Sequence, residues 1–128
     1  MARKPSPNLT EAELRLMNVL WDRRAATVAE VTEALPRDPG LAYNTVLTTL
    51  RILEDKGYVR HTKPKEGRAF VYRPVVEREE ASRNAVRHVI SRFFRDSPEL
   101  LVLNLLQDSE LSERELQRIR KLIEESKR

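Results

Sequence analysis

Hydrophobic positions recur at helical spacing in several separate stretches of this chain, and one stretch organises the others. From Tyr43 to Lys56 the sequence reads YNTVLTTLRILEDK, with Val46, Leu50 and Leu53 in helical register. At about 100° per residue these three share one face, while Asn44, Thr48 and Arg51 point the other way. The outward row near the start of the helix is small and hydrogen-bonding, unlike the Glu/Lys mix of an ordinary solvated face. Gly57 is placed to end the helix in the left-handed conformation. Two strand-like runs follow, Tyr58–Thr62 and Ala69–Tyr72, joined by a turn that contains Pro64 and Gly67. A helix with a hydrogen-bonding outer side feeding a basic hairpin is the pattern of a winged helix-turn-helix.

The upstream pattern supplies the rest of such a unit. Thr10 and Glu13 form a Thr-x-x-Glu capping box, with Leu9 placed to staple onto Leu14. Leu14, Met17, Leu20 and Trp21 are the expected buried stripe of the first helix. On that stripe Trp21 reads as core and not as a stacking platform for a base. A second capping box, Thr27 to Glu30, opens a short helix with Val28, Val31 and Leu35 inward, and Pro36 ends it. The turn Arg37–Gly40 leads directly into the central helix, whose start at Leu41-Ala42 offers no strong cap.

Beyond Pro74 the pattern changes to amphipathic helices. Glu77–Arg95 places Ala85, Val89 and Phe93 on one line, beside Val86, Ile90 and Phe94. Ser97 and Pro98 form a helix start that leads into Leu100–Leu106, a segment too apolar all round to face water alone. A third capping box, Ser112 to Glu115, precedes the stripe Leu116, Ile119, Leu122 and Ile123, with Leu111 placed to staple onto Leu116. The expected fold is therefore mainly α with a small β-hairpin wing. Residues 1–8 are a disordered lead-in, 9–76 a winged-helix DNA-binding domain, and 77–128 a helical dimerisation domain. The last part has a narrow core and is close to the size at which oligomerisation is needed, so it either packs back on the first domain or, the favoured reading, pairs with a second copy. Val89, Phe93, Leu103, Leu116, Ile119 and Leu122 are its candidate interface.

Charge sharpens this picture through its location. Residues 1–76 hold 13 Lys+Arg against 9 Asp+Glu, whereas 77–128 hold 11 of each, so the whole surplus of +4 lies in the first part. Lys56–Arg73 alone carries six basic residues against Glu66. Beside a hydrogen-bonding helix face, that surplus reads as a phosphate-binding surface. The candidate DNA contacts are Asn44, Thr45, Thr48 and Arg51 on the helix, and Lys63, Lys65 and Arg68 on the hairpin. His61 on the hairpin is a further candidate phosphate contact, and His88 reads as a surface position.

Other chemistries find little support. The chain has no cysteine, which removes disulfides, thiolate metal sites and cysteine nucleophiles together. Neither histidine has a partner at metal-ligand spacing, and there is no glycine-rich phosphate loop or serine in a nucleophile context. The expectation is a protein that is not an enzyme and uses no cofactor. The longest apolar runs are four residues, such as Leu100–Leu103, so no segment reads as a membrane span. The basic start lacks the apolar core of a signal peptide, and the expected location is cytoplasmic.

Four stretches together resemble one family: Leu9-Thr-x-Ala-Glu-x-x-x-Met17-Asn-x-x-Trp21, Asn44-Thr-Val, Leu53-x-x-Lys56-Gly57 and Leu101-Val-Leu-Asn104. They are similar to the BlaI/MecI/CopY family of bacterial winged-helix repressors, the penicillinase repressors, over nearly the whole chain. The resemblance implies a homodimer on a palindromic operator in double-stranded DNA. It also implies a membrane sensor-protease signal that ends in cleavage of the repressor within Leu-Val-Leu-Asn, here at Asn104–Leu105. Two positions depart from the pattern: the β-lactam repressors carry a basic residue where Leu47 stands, and better-known members carry Phe where Leu105 stands. The copper-responsive branch senses metal through C-terminal cysteines, which this chain lacks. Two other readings fit the residues: a winged-helix regulator sensing a small ligand, and a winged-helix protein-interaction module.

Overall fold

The computed structural model describes residues 8–36, 40–64, 69–108 and 110–127. In chain order the elements are α1 (Glu11–Arg23), β1 (Ala26–Thr27), α2 (Val28–Ala34), α3 (Tyr43–Asp55), β2 (Val59–Thr62), β3 (Val71–Pro74), α4 (Arg78–Phe93), α5 (Pro98–Leu106) and α6 (Glu113–Ser126). They form two compact units, the first ending at Ala85 and the second beginning at Val86, so the division falls inside α4.

The first unit is a winged helix. Its helices start where local chemistry says they should. At α1, Thr10 accepts the Glu13 backbone N–H at 3.1 Å, and the Glu13 carboxylate accepts the Thr10 N–H at 2.8 Å. At α2, Thr27 and Glu30 repeat the box at 3.2 and 2.8 Å. Helix α3 has no side-chain cap at Ala42. After α3 the chain reverses at Gly57, whose φ of 92° lies in the region that only glycine enters without a Cβ clash.

One core fills the space between these elements. Leu16, Met17 and Leu20 of α1, Val31 of α2, and Val46, Leu50 and Leu53 of α3 are fully buried beneath Tyr58 and Tyr72 of the wing. Trp21 belongs to this core, and its indole N–H donates to the Val76 carbonyl at 2.8 Å, satisfying the one polar atom it buries. The α1 stripe differs from expectation at one place. Leu14 is 40% exposed and Leu16 is buried instead, because α1 presents a face flanked by both α2 and α3.

The sheet holds three strands in the order β1-β3-β2, all antiparallel. Strand β1 is an addition that periodicity could not reveal. It is two residues long, and Ala26 and Thr27 pair with Tyr72 and Val71. Strand β3 runs Val71–Pro74, later than the expected Ala69–Tyr72. Pro74 takes the last register position opposite Val59, where its missing N–H interrupts nothing further along the strand.

The second unit is helical. Ser97 caps α5 with Pro98 in its first turn, and a Ser112–Glu115 capping box opens α6. Arg95 and Asp96 both adopt positive φ, at 50° and 61°, to turn the chain between α4 and α5. Neither α5 nor α6 contains a buried residue among those described. No helix of the described residues is long and apolar enough to cross a membrane.

Candidate nucleic-acid interface

Helix α3 has two chemically distinct sides. Val46, Leu50 and Leu53 are fully buried, which fixes the helix axially and in rotation. That rotation leaves Asn44, Thr45, Thr48 and Arg51 exposed together along the other side. Thr49 is turned inward, and its hydroxyl donates to the Thr45 carbonyl at 2.7 Å. Leu47 is partly buried against the core. Asn can pair bidentately with adenine, and Thr can bond a base edge or touch a thymine methyl.

Tyr43, the first residue of α3, is 48% exposed, but at about 100° per residue it follows the line of Val46 and Leu50 and not that of Asn44, Thr48 and Arg51.

The wing adds cationic groups. Lys63 is exposed just past β2; Lys65 and Arg68 lie outside the described residues. Arg60 and Arg73 stand directly opposite one another in the β2–β3 register, both exposed. Like charges so placed repel, so this pair costs the hairpin stability while raising the positive potential of the wing. The pairing was not legible in sequence, because it depends on a register set by β3 starting at Val71.

His61 on the wing is held through one ring nitrogen. Its Nδ1 sits 2.7 Å from Glu54 Oε1, so the imidazole is tied to α3. His88 is not the surface position expected: it is half-buried, and its Nε2 is enclosed without a hydrogen-bond partner among the described residues.

Beneath this surface one ion pair anchors α3. Lys56 Nζ donates to Glu13 Oε1 at 2.8 Å and to the Asn8 carbonyl at 3.0 Å. Burial pushes the Glu13 carboxyl up, but the Lys56 hydrogen bond and the Thr10 N–H outweigh it, and the net direction is down. Elsewhere Arg24 and Glu77 form a two-bond pair at 2.8 and 2.9 Å that holds the carboxyl of Glu77 below its usual range.

In the second unit the candidate interface residues divide by exposure. Val89, Phe93, Leu103 and Leu122 are exposed, Phe93 to 71%, whereas Leu116 and Ile119 are half-buried. Helix α5 exposes Leu100, Val102, Leu103, Leu105 and Leu106 on a nine-residue segment. Asn104 and Leu105 both lie in its last turn and are exposed. Among the described residues no group of three or more His, Asp or Glu is placed to hold a metal ion.

The chain is similar to known proteins. The family model described as penicillinase repressor matches residues 9–125. A penicillinase repressor of Bacillus licheniformis is 31% identical over 124 residues, spanning 97% of this chain and 95% of that protein. The methicillin resistance regulatory protein MecI of Staphylococcus aureus (strain N315) is 23% identical over 115 residues, spanning 90% and 92% respectively. Among solved structures, the DNA-binding domain of the repressor BlaI matches with a TM-score of 0.52 at 33% identity, covering 61% of this chain and 93% of that domain. With the match running through the winged helix and on into α6, the chain belongs to the penicillinase repressor family.

Proposed function

We propose that this protein is a DNA-binding transcriptional repressor. The observation that carries the reading is the uncovered row Asn44, Thr45, Thr48 and Arg51 on a helix whose opposite side is wholly buried, in a unit 33% identical to the DNA-binding domain of the repressor BlaI. In this reading α3 enters the major groove, its first half meets base edges, and the wing, through Lys63, Lys65 and Arg68, meets phosphates. No residue has a catalytic role and no cofactor is needed.

The protein acts as a cytoplasmic homodimer on a palindromic operator. Exposed apolar side chains along α4, α5 and α6 support this, because a face carrying Val89, Phe93, Leu103 and Leu122 loses free energy to water until a partner covers it. Leu116 and Ile119 contribute from the same helices. Repression ends when a signal from a membrane sensor-protease leads to cleavage at Asn104–Leu105, which separates α6 from the rest. The exposed position of that bond in the last turn of α5 supports access, since a terminal turn opens more readily than a helix interior.

Selection of bound sequences from random duplex DNA tests the reading. The expected product is an inverted repeat with half-sites one helical turn or a multiple apart. Failure to enrich any sequence, with binding insensitive to salt, would overturn the reading and favour a protein-interaction module in its place.

A further inference from the structure

His61 and Glu54 join the wing to the recognition helix. His61 Nδ1 lies 2.7 Å from Glu54 Oε1 and 3.0 Å from Oε2, a span from β2 to the last turn of α3. Two rings flank the imidazole: Phe70 at 4.7 Å and Tyr72 at 5.5 Å between centroids. His61 Nε2 has no hydrogen-bond partner among the described residues, and the side chain is 38% exposed.

Among the described residues, α3 contributes Glu54 and, next to it, Asp55, while Arg51 stands one turn earlier. The wing contributes Arg60, adjacent in β2, Lys63 just past its end, and Arg73, the register partner of Arg60 in β3. Burial pushes the Tyr72 hydroxyl up, Glu54 and Tyr43 push it further and Arg51 opposes. Glu54 is thus an acid held beside the surface proposed to meet DNA, where a lone carboxylate repels phosphates.

Protonation of His61 reverses that repulsion. In the neutral ring Nδ1–H donates to Glu54, and the pair carries one negative charge. A proton added at Nε2 makes the pair neutral, strengthens the Nδ1–H bond by making it charge-assisted, and creates a second N–H donor. A phosphate oxygen near the wing interacts favourably only with this second form.

We propose that His61 is a proton-linked phosphate contact, oriented by Glu54, so that duplex binding draws a proton from solvent onto Nε2. The proposal rests on the DNA-binding reading above.

The test uses the full-length protein and its selected duplex at fixed ionic strength. Affinity should rise from pH 8 to pH 6 by up to about 100-fold, since one linked proton gives at most tenfold per pH unit. H61Q should flatten this response, and H88Q, in the second unit, should keep it. E54Q should bind more tightly than the parent at pH 8 and respond less to pH. Calorimetry of the unmodified protein in buffers of different ionisation enthalpy should show net proton uptake on binding, a measurement that needs no variant to fold. A flat profile, zero uptake, or an H61Q variant that keeps the full response overturns the proposal while leaving DNA binding intact. Absence of duplex binding at every pH overturns the DNA-binding reading itself.

Discussion

Lys56 and Glu13, 43 positions apart, meet at 2.8 Å and join the end of α3 to the start of α1. The same carboxylate oxygen also accepts the Thr10 N–H, so one side chain closes a helix cap and anchors the neighbouring helix. Glu13 is nearly buried while Lys56 keeps a quarter of its surface, which tempers the solvation cost of the pair.

This junction predicts a pH dependence of stability. The Glu13 carboxyl is depressed in the fold, so its contribution is present above the ordinary carboxylate value of 4.5 and is lost as pH falls through the folded value. Thermal unfolding of E13Q should show a loss of about 1–3 kcal/mol at pH 7, the range for removing one partner of a charged hydrogen bond. The difference from the parent should shrink in acid. A difference that stays constant down to about pH 3 contradicts the assignment.

The exposed row on α3 predicts a split between specific and general binding. Thr48→Ala should cost about 1–3 kcal/mol on the selected operator and little on random duplex. Competition binding against both duplexes checks this, and equal losses on both would remove Thr48 from base reading.

Wing cations predict the opposite behaviour. Lys63→Ala should weaken all sequences alike, and the slope of log affinity against log salt should flatten by about 0.9 for each phosphate left without its cation. An unchanged slope in the Lys63→Ala, Lys65→Ala double variant would keep the wing away from the backbone.

The exposed apolar helices predict the outcome of truncation. A fragment 1–104 keeps the core of the first unit and lacks α6. Circular dichroism should find it folded and sedimentation should find it monomeric. Its operator affinity should fall by about two or more orders of magnitude, because the second linked half-site is gone. Exposure of Phe93 at 71% makes F93D a milder version, expected to dissociate the dimer without unfolding the first unit. Recovery of full-length protein after induction would exclude cleavage at Asn104–Leu105 and leave repression itself unaffected.

What could be read in the sequence was local. The capping boxes at Thr10, Thr27 and Ser112 all form, because each is a closed exchange of bonds within four residues. The inward face of α3 and the reversal at Gly57 were legible for the same reason. Long-range pairing was not. Strand β1 exists only because Tyr72 and Val71 lie beside it, and two residues carry no periodicity of their own. Leu16 replaced Leu14 in the core because burial depends on where two other helices sit. On the candidate interface, the Glu54–His61 tie and the facing Arg60–Arg73 pair required the turn at Gly57 and the strand register before they could be seen.

Thr27 ends β1 and caps α2, serving the sheet and the helix-turn-helix at once. A residue inserted there would shift both the pairing with Val71 and the cap on Glu30. Changes in chain length that the fold tolerates should therefore avoid this junction, since one insertion there would unseat a strand and a helix together.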